Sequence, residues 1–193
     1  MKRIGLLGGS FDPPHKGHLY ISLEAKKMLQ LHEVWWLITP QNPLKISRPA
    51  TYKERVANCK EITKGKLIIV KEIEKKINSK YTYETLDYLQ NHYTNIKFFW
   101  LMGADNLICF HKWQKWRQIL QEISVVVFKR HRYNNKALKS IASKTYSNYQ
   151  IISNSPNKNF FDKLPSWVWV NNREIRISST EIRKQRSLLR GKN

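Results

Sequence analysis

The sequence predicts an α/β fold with a doubly wound parallel sheet, and three observations lead there. Apolar runs alternate along the chain with stretches of helical spacing. Most of the apolar runs are short and continuous, as in parallel strands covered on both faces. The chain has 193 residues, 41% hydrophobic and 12% aromatic. That is enough for one domain with a real core and too little for two, so a single domain is expected over residues 1–193.

The elements follow in order. The first strand is RIGLLG (3–8), running into a glycine pair. A helix is expected over 17–31, starting near Gly17 once Pro13 and Pro14 are passed. EVWWLIT (33–39) is the second strand, and Pro40, Pro43 and Pro49 mark a loop after it. A helix over 52–63 leads to KLIIVKEI (66–73), and a helix over 83–92 leads to KFFWLMG (97–103). A helix over 114–121 precedes SVVVFKR (124–130). The polar stretch from Tyr133 to Asn159 gives no clear period, after which WVWVN (167–171) and a helix over 179–189 close the pattern. The order implies helices on both faces of one sheet, a three-layer, Rossmann-like arrangement whose sites collect where strand carboxyl ends meet helix N-termini.

Composition excludes several classes. Cys59 and Cys109 are far apart and lack partners at metal-ligand spacing, so neither a disulfide framework nor a zinc site is expected. A reducing, cytoplasmic setting fits. The N-terminal apolar run is too brief for a signal peptide, and no stretch approaches the roughly 18 apolar residues of a membrane helix. With 35 Lys and Arg against 14 Asp and Glu, the formal charge is +21. Such a field attracts nucleic acid, anionic membranes or phosphorylated small molecules. The cations are scattered, however, among many Asn and Ile, a mixture that an AT-rich genome also writes on solvated faces. Charge alone does not decide function.

The densest local signal is GGSFDPPHKGH, residues 8 to 18. A lone glycine pair would mean a tight turn with incidental surface histidines. Here Gly8 and Gly9 leave a strand and let backbone N–H groups approach a ligand, with Ser10 and Phe11 next in the loop. Helix one then offers free N–H donors and the positive end of its dipole. His15 and His18, three apart, can face one anion from the loop and from the first turn. That combination suits phosphate.

Four further segments follow in order: TPQNPLK (39–45), YTYETL (81–86), MGADN (102–106) with FHKW (110–113), and ISSTEIR (177–183). With the opening loop they resemble bacterial nicotinate-nucleotide adenylyltransferases, of the nucleotidyltransferase superfamily that carries an (H/T)xGH motif. The family pattern reads GG(S/T)FDPxHxGH at the first motif and ISSTxIR at the last. One departure is visible: Leu44 stands where the family usually has His, while Lys45 is kept.

The resemblance implies transfer of the adenylyl group of ATP to nicotinate mononucleotide, with Mg²⁺ sharing the charge of ATP by analogy with phosphoryl transfer. It implies that His18 meets the α-phosphate in the transition state and His15 the ATP phosphates. Arg183 and the Ser178, Ser179 and Thr180 turn would hold the β and γ groups, and Lys45 a phosphate. The segment with Gly103 and Asp105 would contact the adenosine ribose. Trp113 would stack on the nicotinate ring, with backbone amides near Thr82 and Gln114 on its carboxylate. Read from residue type alone, ISSTEIR is also an ordinary helix cap with a surface arginine, Asp105 an ordinary cap, and one of Trp113 and Trp116 core packing. The implied partners are small molecules, with no membrane and no specific nucleic acid; a homo-oligomer stays open.

Three other readings compete. Phosphopantetheine adenylyltransferases share the fold and loop but carry Thr at the position of His15. Class I aminoacyl-tRNA synthetases also carry HxGH, and KISR (45–48) echoes their second signature, but it follows too soon in too short a chain. A basic nucleic-acid-binding protein would explain the charge and seven Trp, and predicts steeply salt-dependent affinity.

Overall fold

Strand β1 (Lys2–Gly9) is an interior strand of the sheet in a computed structural model that describes residues 1–40, 50–151, 163–173 and 175–190. It pairs with β2 (Glu33–Ile38) on one side and β4 (Ile96–Gly103) on the other, both parallel. Outward from β2 lies β3 (Ile68–Lys71), and outward from β4 lie β5 (Ser124–Phe128), β7 (Trp167–Val170) and β6 (Gln150–Ile151). The order is β3-β2-β1-β4-β5-β7-β6, with every described pairing parallel. This is a doubly wound sheet, and its order reverses between β1 and β4. The crevice above that point is where such folds bind ligands.

Residue alternation along the strands builds a core on each face. Ile4, Leu6, Trp35, Phe98, Trp100 and Val125 face one layer. That layer is made by α3 (Ile73–Lys76), α4 (Thr82–His92), α5 (Ala104–Cys109), α6 (Trp116–Glu122), α7 (Asn134–Leu138) and α8 (Ile141–Thr145). Leu7, Trp36, Phe99, Leu101 and Val126 face the other, covered by α1 (Lys16–Met28) and α2 (Tyr52–Thr63). Each such large apolar side chain, fully buried, contributes roughly 1.5–3 kcal/mol. The last helix, α9 (Ser179–Arg190), returns to the carboxyl edge of the sheet and touches the loop before α1.

The expected elements are present with shifted ends. KLIIVKEI divides: the strand stops at Lys71, and Ile73 starts the one-turn α3. The helix expected from 114 begins at Trp116, because Lys115 takes a left-handed φ of 52° and turns the chain. The helix expected to reach residue 31 ends at Met28, ahead of Gln30 at a φ of 51°. The helices α3, α5, α7 and α8 and the two-residue β6 were not foreseen; none is long enough to show a period.

Candidate active site

The carboxyl ends of β1 and β4 meet the N-terminus of α1 at the reversal point. Gly8 and Gly9 are still in β1, and the need for glycine at position 8 comes partly from beneath, where a Cβ would meet the Trp100 ring at 2.8 Å. After Ser10 the chain turns at Phe11, which takes a φ of 47° yet is only 2% exposed. Its ring stacks on Trp36 at 4.6 Å and tilts against His18 at 4.9 Å, so the turn is anchored in the core.

The two histidines form a reciprocal cap. His15 is the N-cap residue of α1, and its Nδ1 accepts the Gly17 N–H at 3.1 Å. Nδ1 of His18 in turn accepts the His15 N–H at 3.2 Å. The imidazoles stack at 3.8 Å. Gly17 makes this fit possible, since a Cβ there would sit 2.9 Å from His15 Nδ1. Burial, with a further push from the Arg130 charge, lowers the His15 pKa to about 4. His15 is therefore neutral, and because Nδ1 accepts, its proton is on Nε2. That Nε2 is buried without a partner among the described residues. His15 therefore offers a neutral donor rather than a cation.

Helix α9 is tied to the same loop. Ser179 Oγ donates to the Pro13 carbonyl at 2.9 Å. The Arg183 guanidinium donates to the Asp12 carbonyl and lies 3.6 Å from the Asp12 carboxylate. Thr180 Oγ1 accepts from Arg183 at 3.2 Å, while Ser178 is the cap, accepting the Glu181 N–H at 3.1 Å. The three hydroxyls thus divide among capping, docking and orienting the arginine.

Across the crevice, Asp105 in the first turn of α5 pairs with Arg130 at 2.7 Å. It is not a cap. Its second oxygen is buried with no partner among the described residues, and Gly103 leaves room for it, as a Cβ there would lie 2.6 Å away. Arg130 follows β5 directly and was not foreseen; its signal was a cation at the carboxyl end of a strand, in FKR. Trp116 is the core tryptophan, packed against Tyr146, whereas Trp113 is half-buried and edge-on to Phe110 and Trp100. Lys115, which follows Trp113 and Gln114, has its ammonium 4.3 Å from the ring centre of Tyr83, the residue after Thr82 at the start of α4. Tyr81, the N-cap residue of α4, makes no side-chain cap, so no side chain among the described residues caps the first amides of that helix. Leu44 and Lys45 lie outside the described residues. No group of three or more His, Cys, Asp or Glu able to hold a metal occurs among the described residues.

Comparison with known proteins agrees with this geometry. Residues 6–185 match the cytidylyltransferase-like family. A Ruegeria sp. protein named "Probable nicotinate-nucleotide adenylyltransferase" is 41% identical over 94% of this chain and 96% of its own. One from Bradyrhizobium sp., with the same name, is 39% identical over 94% and 95%. Among solved structures, the Plasmodium falciparum nicotinic acid mononucleotide adenylyltransferase complexed with NaAD has a TM-score of 0.69, covering 95% of this chain and 83% of that one. At 20% identity it speaks for the fold. With the histidine cap, the α9 tie and relatives matching nearly end to end, the chain belongs to the cytidylyltransferase-like family and, within it, to the nicotinate-nucleotide adenylyltransferases.

Proposed function

We propose that the chain transfers the adenylyl group of ATP to nicotinate mononucleotide, giving nicotinate adenine dinucleotide and pyrophosphate, within one nucleotidyltransferase domain. The observation that carries the reading is the stacked His15 and His18 pair, with a buried N–H donor at the mouth of α1 that has no partner among the described residues. A donor fixed in that way serves a phosphate oxygen better than water can, because it needs no reorganisation.

The mononucleotide phosphate is already an anion at neutral pH, so it attacks the α-phosphorus in line without a general base. The protein's task is to position two mutually repelling phosphates and to neutralise charge growing on the α-phosphate and the leaving pyrophosphate. His18 serves the α-phosphate and His15 the neighbouring ATP phosphates. Arg183, with Ser178, Ser179 and Thr180, serves the β and γ groups. Lys45 meets a phosphate, Gly103 and Asp105 the ribose, and Trp113 the nicotinate ring. The backbone amides near Thr82 and Gln114 meet its carboxylate. Mg²⁺ would enter with ATP as part of the substrate and share the negative charge of its phosphates. The free thiols Cys59 and Cys109 and the lack, among described residues, of a helix able to cross a membrane support a cytoplasmic setting.

Pyrophosphate release from ATP with nicotinate mononucleotide or nicotinamide mononucleotide, run in parallel, tests both reaction and preference. Release with the nicotinate substrate is expected to be the faster; none with either ends the proposal. His18→Ala is expected to lower kcat by roughly 10²–10³ with the fold intact.

A further inference from the structure

Arg55 sits in the second turn of α2 and is 1% exposed. Its guanidinium makes no hydrogen bond to a carboxylate among the described residues. Instead it donates to four backbone carbonyls: Ser10 at 2.7 Å, Thr39 at 2.8 Å, Pro40 at 2.9 Å and Ala50 at 3.1 Å. These carbonyls belong to the exit of β1, the exit of β2 and the approach to α2. A buried cation is a costly way to fill space, and an apolar side chain of that length would do it more cheaply. What the planar fork does that an apolar chain cannot is fix several carbonyls at once.

The fixed peptide that matters most is Ser10–Phe11. With its carbonyl turned to Arg55, a trans peptide sends the Phe11 N–H the opposite way. That N–H has no acceptor among the described residues. Phe11 itself is held at a φ of 47°, costly for a side chain of its size. Its ring lies against His18. A movement of the Ser10 carbonyl would therefore reach His18 through one residue.

We propose that Arg55 is a positioning residue for adenylyl transfer, locking the Ser10–Phe11 peptide and, through the Phe11 ring, His18. The inference rests on the adenylyl-transfer reading above. Arg55→Lys keeps the charge and loses the fork; Val56→Ala, in the same helix and facing the core, is the packing control. Arg55→Lys is expected to lower kcat by about 30-fold or more, with mononucleotide KM within about threefold. Amide hydrogen exchange in residues 9–12 should quicken about tenfold in Arg55→Lys alone. Val56→Ala should lower Tm at least as much while keeping kcat within about twofold of wild type. If both variants lose activity in proportion to their loss of Tm, or if exchange in residues 9–12 is unchanged in Arg55→Lys, the proposal is overturned. Should Arg55→Lys fail to fold, Arg55→Gln and the wild type's own Arg55 Nη signals in ¹⁵N NMR decide. Those signals should move when a non-hydrolysable ATP analogue binds, and unmoved signals overturn the proposal. Wild-type and Val56→Ala chains that release no pyrophosphate would sink the reaction, while the exchange measurement still reports on the loop.

Discussion

His15 caps α1 and, in the proposed mechanism, meets the ATP phosphates with the same ring, and the burial of that ring leaves a pH signature. In the fold it stays neutral down to about pH 4, whereas in an unfolded chain it charges near 6.5. Its contribution to stability is complete above pH 6.5 and is lost as the pH falls toward 4. Glu74, 4% exposed, has the opposite slope. Burial pushes its carboxyl from 4.5 up to about 7, only partly offset by a hydrogen bond with Thr39 and the Arg55 charge. The folded chain keeps a proton that the unfolded chain gives up, so stability is lost as pH rises from 4.5 to 7. The two slopes oppose each other between pH 4.5 and 6.5. Relative to wild type, His15→Gln should tilt the Tm curve downward with rising pH across that window, and Glu74→Gln should tilt it upward. Thermal melts in a buffer series check both. The histidines themselves were legible in the sequence because HxGH is a local pattern. Their mutual cap was not, since nothing in spacing alone says which ring nitrogen takes a backbone proton. Arg55 and Arg130 were missed for a related reason: each acts through carbonyls or a carboxylate distant in sequence, and a lone arginine carries no motif.

At the scale of elements, α9 and the loop before α1 behave as one unit. Arg183→Ala removes the ties to Asp12 and Thr180. The ion pair is partly exposed, with the arginine side chain 39% accessible, so its loss should cost less than about 1 kcal/mol of stability. Activity should fall much further, by about tenfold or more, with KM for ATP rising. A Tm measurement beside ATP titrations separates the two effects. The long elements were read correctly from sequence because each shows its period over a dozen residues or exits cleanly into glycine or proline. The boundaries were not. Lys115, an ordinary helix former, is pinned left-handed where the chain turns from Trp113 into α6, and that is decided by packing, not propensity. Short α5 and α7 are likewise products of the core they cover.

For the whole molecule, the doubly wound topology was visible because buried parallel strands write continuous apolar runs, and six such runs alternated with helices. Strand order was not readable, because several doubly wound orders cover both faces with helices equally well. Phe99, fully buried between β1 and β5 on the α1 side, is a sensitive probe of that core. Phe99→Ala should cost about 3–5 kcal/mol in denaturant unfolding. The +21 charge acts at this scale as well. Raising KCl from about 0.1 M to about 1 M shortens the screening length from about 10 Å to about 3 Å and should raise Tm by relieving self-repulsion.

The hydrogen bond from Ser179 to Pro13 joins residues 166 positions apart. A chain emerging from the ribosome would expose β1, the glycine pair and both histidines long before α9, and on the proposed mechanism it would hold only half a nucleotide cradle until α9 is out. Competence to handle ATP would then arrive late and all at once, leaving partial chains little means of sequestering the nucleotide.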